Sequence, residues 1–478
     1  MNEREFIGLQ NRRRFLREAA GGIGLAALGD LLTADKLTAA STDPMTPRQP
    51  HFTGKAKHVI YMFMEGGPSQ YELFDEKPVL QQWHGKPLPE SMTKDLKLAF
   101  IKPTAAVMAS KFKFERQGKS GMALSELLPH LGTCADDMTL VRSMHTDAFN
   151  HHPGQLLLFT GSIQFGRPSM GSWVTYGLGS ESQNLPGFVV LTSGRGTSGG
   201  ASNFGSGFMP SHFQGTVFRN AGDPILYLSN PPGVSRDFQH ETLESVNALN
   251  AHRYQTTGDT EIASRISSYE LAFRMQMAAP DLLDFSKEPA AIREMYGVDS
   301  EDKDLKQYAS NCLLARRLVE RGVRFVLMMD ASWDHHGSLN KELPKRCKKI
   351  DQPTAALIKD LKQRGLLDET LLVWGGEFGR TPMVEMRRPS DVESAGRDHH
   401  PNAFSMWMAG GGFKGGYTHG KTDDLCLNVT EDPVHVHDLQ ATILKQLGFE
   451  HTRLTYRHMG RDFRLTDVHG NFIPKLVG

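Results

Sequence analysis

Arg324 to Pro344 reads R-F-V-L-M-M-D-A-S-W-D-H-H-G-S-L-N-K-E-L-P. Phe325 to Met329 is an unbroken apolar run of strand length, the pattern of a strand buried on both faces. It stops at Asp330, and Asp334, His335 and His336 follow before Gly337. Helical apolar spacing precedes the run at Asp304 to Arg321 and follows it at Leu339 to Arg364, which feeds a second apolar run at Leu371. Strand, helix, strand, helix is the order that right-handed crossovers make in a mostly parallel sheet. Ligands of such sheets bind beyond the carboxyl ends of the strands. A carboxylate and imidazoles at that edge are what a zinc-class or similar divalent ion uses. Taken alone, the loop reads equally as a capping Asp with solvated histidines.

The arrangement recurs. Leu371 to Trp374 ends in Gly375-Gly376-Glu377-Phe378-Gly379-Arg380-Thr381-Pro382, and Gly396-Arg397-Asp398-His399-His400-Pro401 immediately precedes the apolar run Phe404 to Met408. Three acid- or histidine-bearing loops beside three expected strands point to one shared site. Upstream, His58 to Met64 is an apolar strand running into the turn Glu65-Gly66-Gly67-Pro68-Ser69, and Met138 to Met144 is a second, followed by His145, Asp147, Asn150, His151, His152 and Pro153. Gly154 to Thr160 reads as a helix, with Pro153 suited to its first turn. Phe188 to Leu191 is a further buried strand, and the Gly/Ser-rich stretch Thr192 to Gly207 reads as a loop over the site. Ile262 to Met277 and Val436 to Leu447 have helical spacing. Glu76 to Ser120 reads as irregular, and Thr452 to Gly478 as a polar segment wrapping the surface.

The first 40 residues read as a targeting segment. Asn11-Arg12-Arg13-Arg14-Phe15-Leu16-Arg17 is followed by a mildly apolar, Gly/Ala-rich stretch from Ala19 to Leu32. A basic region before a short apolar run is a secretory signal, too short to span a bilayer. The Arg-Arg-x-Phe-Leu-Arg order resembles the twin-arginine signal, which implies a periplasmic or extracellular address. Residues 41–56 read as a Pro/Thr/Ser-rich linker, and 57–478 as one large domain, a length that also allows two or three smaller ones. The 54 basic and 54 acidic side chains balance, so bulk charge gives no reason to expect nucleic acid as a partner. No later stretch has the length of a membrane span. Four cysteines far apart make no scaffold or C-x-x-C motif, and one pair is compatible with export.

With these motifs in view, the chain resembles the alkaline phosphatase and sulfatase superfamily, and within it a twin-arginine-exported, sulfatase-like family of unassigned activity. The closer resemblance rests on M-E-G-G-P-S-Q near 64, G-R-P-S-M-G-S-W near 166, S-Y-E-L-A-F-R-M-Q near 268, W-D-H-H-G at 333, G-G-E-F-G-R-T-P at 375 and G-R-D-H-H-P at 396. H-D-L-Q-A-T-I-L at 437 and G-R-D-F-R-L-T-D-V-H-G at 460 look like the carboxyl-terminal part of many sulfatases. The resemblance implies an alkaline phosphatase-like three-layer α/β sandwich with a mostly parallel central sheet. Sulfatases carry C/S-x-P-S-R before a helix ending in L-T-G. Pro153 and Thr160-Gly161 stand at that spacing, which sets His151 where the formylglycine nucleophile would be and Gln155 where the Arg would be. Glu65 and Glu377 fall where metal-binding aspartates sit. The Asp/His ligands of the wider superfamily are resembled by Asp334, His336, Asp398 and His399.

Two readings follow. In the first, the protein is an exported hydrolase of sulfate or phosphate esters without a formylglycine. Asp334, His336, Glu377, Asp398 and His399 would hold one or two divalent ions (zinc, calcium or magnesium). The metal would act as Lewis acid and activate water, with His151 a catalytic candidate. Arg380 and the amino end of the 154–160 helix would hold the anion, and His399 or His400 would ligate metal or protonate the leaving group. The substrate would be a small anionic ester or a sulfated polysaccharide. In the second, the fold is a retired enzyme that binds an anionic polysaccharide or another exported protein.

Overall fold

The computed structural model describes residues 44–478 apart from 95, 97, 195, 220–224, 226–229 and 387–393. The expected targeting segment, and residues 41–43 of the expected linker, lie outside the described residues. Residues 45–56 are bonded to the body at several points: Arg48 N–H donates to Leu178 O, Phe52 N–H to Gly448 O and Ala56 N–H to Gln446 O.

The central sheet has nine strands. They are β1 (His58–Met64), β2 (Met138–His145), β3 (Phe188–Ser193), β4 (Thr216–Phe218), β5 (Phe325–Asp330) and β6 (Thr370–Gly375), then, beyond a hairpin of β7 (Gly379–Met386) and β8 (Ala395–His400), β9 (Phe404–Ala409), β10 (Tyr417–His419) and β11 (Val434–His435). The order is β10-β2-β9-β6-β1-β5-β3-β4, with β11 also on β2. Every pairing in it is parallel except those of β9, which is antiparallel to both β6 and β2.

Alternation along the buried strands makes the three layers. Ile60, Met62, Met64, Val326, Met328, Leu372 and Trp374 face one core. It is completed by α5 (Lys303–Glu320) and α6 (Leu339–Gln363) through Leu313, Leu318, Leu343 and Leu357. Val59, Tyr61, Phe63, Phe325, Leu327, Leu371 and Val373 face the other. There α1 (His151–Thr160), α2 (Met170–Leu178) and α7 (Val436–Gln446) contribute Leu157, Leu158, Trp173, Ile443 and Leu444. Two further helices, α3 (Arg236–Thr257) and α4 (Thr260–Leu283), pack on each other, and only the second was visible as helical spacing. The chain thus adopts the expected α/β sandwich with a mostly parallel sheet. All four cysteines are buried free thiols, so no disulfide forms.

Register places the site. β1 pairs Met64 with Asp330 of β5 and Phe63 with Gly375 of β6. The three strands therefore end in line and deliver Glu65, the 331–336 turn and Glu377 to one edge. Because β9 runs against both β6 and β2, β2 runs with β6, and its carboxyl end leads into α1 at that same edge.

Two stretches expected as plain loops are strands instead. Gly379–Met386 and Ala395–His400 form an antiparallel hairpin, His399 opposite Arg380, with a register shift between Arg397 and His399. Its buried positions are charged: Arg380, Arg397, Asp398 and His399 are each almost fully buried. Paired charges inside a hairpin erase the apolar alternation by which a strand is read.

Candidate functional site

The site begins at the amino end of α1. Asn150 is extended at φ −117°, ψ 150° and makes no side-chain cap. The helix starts at His151, three residues before Gly154. Pro153 lies in the first turn, where a missing N–H costs nothing. His151 Nδ1 lies 2.7 Å from Glu377 Oε1. Its Nε2 is 3.3 Å from Asp334 Oδ2 yet has no hydrogen-bond partner. Burial lowers the affinity of this ring for a second proton, but Asp334 and Glu377 outweigh it and raise the pKa to about 9.

Two more imidazoles converge on Asp334. His399 Nδ1 is 2.8 Å from the carbonyl of Phe149, which can only accept, so Nδ1 carries the proton. His336 Nδ1 bonds the carboxylate of Glu385 and is likewise the donor. Each neutral ring is left with an Nε2 lone pair, and the two Nε2 atoms face one another at 2.8 Å. Asp334 Oδ1 lies 2.9 Å from His336 Nε2 and 3.4 Å from His399 Nε2. Three lone-pair donors in van der Waals range require a proton or a cation between them. In the ion-free geometry a proton on His336 serves: burial lowers its pKa, but bonds to Asp334 and Glu385 raise it further. Burial alone would raise the Asp334 carboxyl, yet the close approach of the His151, His336 and His399 rings and the charge of Arg380 hold it far below the carboxylate range. One nitrogen or carboxylate oxygen from each of His151, Asp334, His336 and His399 lies within 4.8 Å of the others. Two imidazoles whose far nitrogens are held by a carboxylate and a carbonyl are oriented as metal-ligating histidines are, and the residues fit a divalent ion.

A second group, Glu65, His151 and Glu377, adjoins the first through His151. Glu377 is wholly buried. The Gly66 N–H donates to both its oxygens at 3.2 Å, and Gln155 Nε2 donates to it at 3.3 Å and to Glu65 at 3.3 Å. Gln155 is itself held by Gly199 N–H at 2.7 Å and Asn203 Nδ2 at 3.0 Å, both donating to its Oε1. Burial, then the charge of Glu377, raises the Glu65 carboxyl.

The remaining expected site residues have other surroundings. Arg380 is buried, and its guanidinium donates to Gly67 O (2.9 Å), Arg397 O (2.9 Å), Gly66 O and Asp334 Oδ1 (2.6 Å). It fixes Asp334 and the 65–67 turn, and little of it is left for an external anion. Asp398 Oδ2 accepts from the backbone of Ala99 (2.8 Å), Phe100 (2.9 Å) and Ile101 (3.3 Å), and its Oδ1 from His399 N–H (2.8 Å). It also belongs to a third acid/histidine group with His336 and Glu385. His400 turns away to Leu427 O at 2.9 Å, and burial lowers its pKa to about 4. Asp330 is occupied by Lys349, Ser193 and Trp333. Sequence reasoning missed Glu385, which orients His336, and the joint hold of Gln155 on Glu65 and Glu377. Nothing in the order of residues marks Glu385, because its role depends on the hairpin.

The model of a family described as protein of unknown function, DUF1501, matches residues 56–477. No curated protein matches the chain. Among solved structures it is similar to the PsFucS1 sulfatase from Pseudoalteromonas sp., with 11% identity, 84% of this chain and 68% of that one covered, and a TM-score of 0.35. It is also similar to the lipoteichoic acid synthase LtaP from Listeria monocytogenes, with 9% identity, 86% and 78% covered, and a TM-score of 0.30. A TAB5 alkaline phosphatase mutant solved with Mg bound gives 10% identity, 76% and 92% covered, and a TM-score of 0.30.

Proposed function

We propose that this chain, which belongs to the DUF1501 family, is an exported metal-dependent hydrolase of sulfate or phosphate esters that works without a formylglycine. The observation that carries the reading is the convergence of His151, His336 and His399 Nε2 on the two oxygens of Asp334. Those four residues would hold a divalent ion, which would supply Lewis acidity toward an ester oxygen. Arg380 keeps Asp334 in place, while Glu385 and the Phe149 carbonyl keep the two imidazoles turned inward. Phe378 packs against the rings of His151 and His399 at 5.1 and 4.4 Å between centroids and shields them from water behind. Glu65, whose carboxyl is raised, is the group suited to hold a proton for a leaving alkoxide. The substrate on this reading is a small anionic ester or a sulfated polysaccharide.

Elemental analysis of protein purified without a metal-affinity tag, joined to assays on 4-nitrophenyl phosphate and 4-nitrophenyl sulfate, tests it. A bound divalent ion and turnover lost on chelation are expected. An ion without turnover of either ester would leave a binding protein for an anionic polysaccharide or another exported protein. Absence of any bound ion, with none taken up from added Zn²⁺, Ca²⁺ or Mg²⁺, overturns the metal centre. Export rests on the Arg12-Arg13 signal: replacing both with Lys should hold the protein in the cytoplasm, and unchanged export refutes it.

A further inference from the structure

His151 stands between two acid groups and has one lone pair to give. Its Nδ1 is 2.7 Å from Glu377 Oε1, while its Nε2 faces Asp334. A neutral imidazole carries a proton on one nitrogen and a lone pair on the other. An ion among Glu65, His151 and Glu377 would need that lone pair at Nδ1 and would take it from the ion at Asp334. The other donors around Glu377 settle which nitrogen keeps the proton. Gly66 N–H reaches both carboxylate oxygens and Gln155 Nε2 donates to Oε1, and the Nδ1 proton of His151 completes the set. Gln155 follows His151 by one turn of α1 and shares its face. It is fully buried, and its amide cannot turn over, because Oε1 accepts from Gly199 N–H at 2.7 Å and from Asn203 Nδ2 at 3.0 Å. Nε2 is thereby aimed at the gap between Glu65 Oε1 and Glu377 Oε1, 3.3 Å from each. Two neighbouring carboxylates out of water need a cation or N–H donors between them, and here donors fill the gap.

We infer that this centre takes a single ion, on Asp334 and the Nε2 atoms of His151, His336 and His399, and that the Gln155 amide closes the second acid group to metal. Glu377 is then a positioning residue. It holds the Nδ1 proton of His151 as Glu385 holds that of His336 and the Phe149 carbonyl that of His399. All three rings are set alike, the outer nitrogen held and the inner one free for metal. One ion polarises an ester oxygen but does not clamp the attacking and leaving oxygens together, as a pair of ions does. The inference rests on the metal-centre reading and adds to it the ion count and the roles of Glu377 and Gln155.

The test loads the full metal-free chain with excess Zn²⁺, removes unbound metal by gel filtration, and counts ions per chain by elemental analysis and native mass spectrometry. Wild type should retain one. Gln155→Glu replaces the amide hydrogens with a third carboxylate and should retain two. Glu377→Gln keeps an oxygen that accepts the His151 proton, so it should still retain one. Its affinity should fall about 10–100-fold, the effect of altering the outer partner of a ligating histidine. In Co²⁺-loaded protein this variant should keep the wavelength of the visible absorption band, because the atoms on the ion are unchanged. Two ions in wild type and one in Glu377→Gln overturn the inference and leave the hydrolase reading standing. A Co²⁺ band shifted by Glu377→Gln makes Glu377 a ligand and overturns it too. A single ion in folded Gln155→Glu shows that the amide is not what excludes the second, and also overturns it. If that variant does not fold, the wild-type count and the Co²⁺ band still decide. One ion without turnover of either ester removes the hydrolase reading and supports the inference, whereas no ion in wild type overturns both.

Discussion

His336 and His399 meet Nε2 to Nε2 at 2.8 Å, each with its Nδ1 bonded behind it, to Glu385 and to the Phe149 carbonyl. Two neutral rings so held would oppose lone pair to lone pair, and a divalent cation removes the conflict at both. A ligand bound by the native state alone stabilises it by about 2.7 kcal/mol at a hundredfold excess over its Kd. Zn²⁺ should therefore raise the Tm of metal-free protein. His399→Ala should remove most of that rise, and Glu385→Gln should reduce affinity by about tenfold or more through the orientation of His336. Differential scanning calorimetry with and without Zn²⁺ checks all three, and a Tm indifferent to metal in wild type would refute the expectation.

Gly66 gives a backbone test of the same centre. Its φ is +117°, and a Cβ there would stand 2.3 Å from Asp334 N and 2.7 Å from the Trp333 carbonyl carbon. Gly66→Ala therefore combines strain of about 1–3 kcal/mol with displacement of the turn that carries Asp334. Gly121 also has a positive φ, +66°, but a Cβ would meet nothing within 4 Å. Gly121→Ala should cost only the backbone part, about 1 kcal/mol, and leave Zn²⁺ binding intact. Gly66→Ala should cost more and weaken Zn²⁺ binding at least tenfold, as isothermal titration would show.

The fold was legible where burial is carried by apolar side chains. His58 to Met64, Phe325 to Met329 and Leu371 to Trp374 announced their strands, and the registers Met64 with Asp330 and Phe63 with Gly375 then followed from parallel pairing. Asp334, His336 and His399 were legible as a group because strand ends collect ligands. What stayed hidden depends on charges paired in space. Glu72 pairs with Arg397 at 2.6 Å, both fully buried and 325 residues apart, and no periodicity betrays a strand whose inner face is ionic. His400 looked equivalent to His399. One residue along a strand reverses the face, and that reversal sends its ring to Leu427 instead of to Asp334.

Acid sensitivity should have an identifiable source away from the Asp334 cluster. His435 is the N-cap of α7: its Nδ1 accepts from His437 N–H at 3.2 Å, while Asp438 Oδ2 accepts from His435 N–H at 3.0 Å. Burial, and then the neighbouring His437, lower its pKa from 6.5 to about 4. Because the folded pKa lies below the unfolded one, the stabilisation is fully present above pH 6.5 and is lost as pH falls toward 4. The loss is roughly 3 kcal/mol at most. His435→Asn, a good N-cap without a titrating ring, should be less stable than wild type by little at pH 7.5 and should lose less stability by pH 5. Denaturant unfolding at the two pH values checks this; parallel losses in both proteins would refute it.

The last expectation separates two roles of His151, which touches both acid groups. Through Nδ1 it satisfies the buried carboxylate of Glu377 at 2.7 Å, and through Nε2 it faces Asp334 at 3.3 Å without a hydrogen bond. His151→Ala removes both, so it should lower stability by about 1–3 kcal/mol, the cost of a buried acceptor left short of a donor. Loss of activity in that variant alone would therefore say little. His151→Asn is the informative change. Its amide nitrogen can occupy the place of Nδ1 and donate to Glu377, and Asn is at home at a helix amino end, yet it presents nothing to Asp334. Metal-free stability should return to within about 0.5 kcal/mol of wild type, an ordinary substitution without a lost buried bond. Zn²⁺ affinity and ester turnover should remain depressed at least tenfold. If His151→Asn instead binds Zn²⁺ as tightly as wild type, His151 serves only to hold Glu377, and the ion rests on Asp334, His336 and His399 alone.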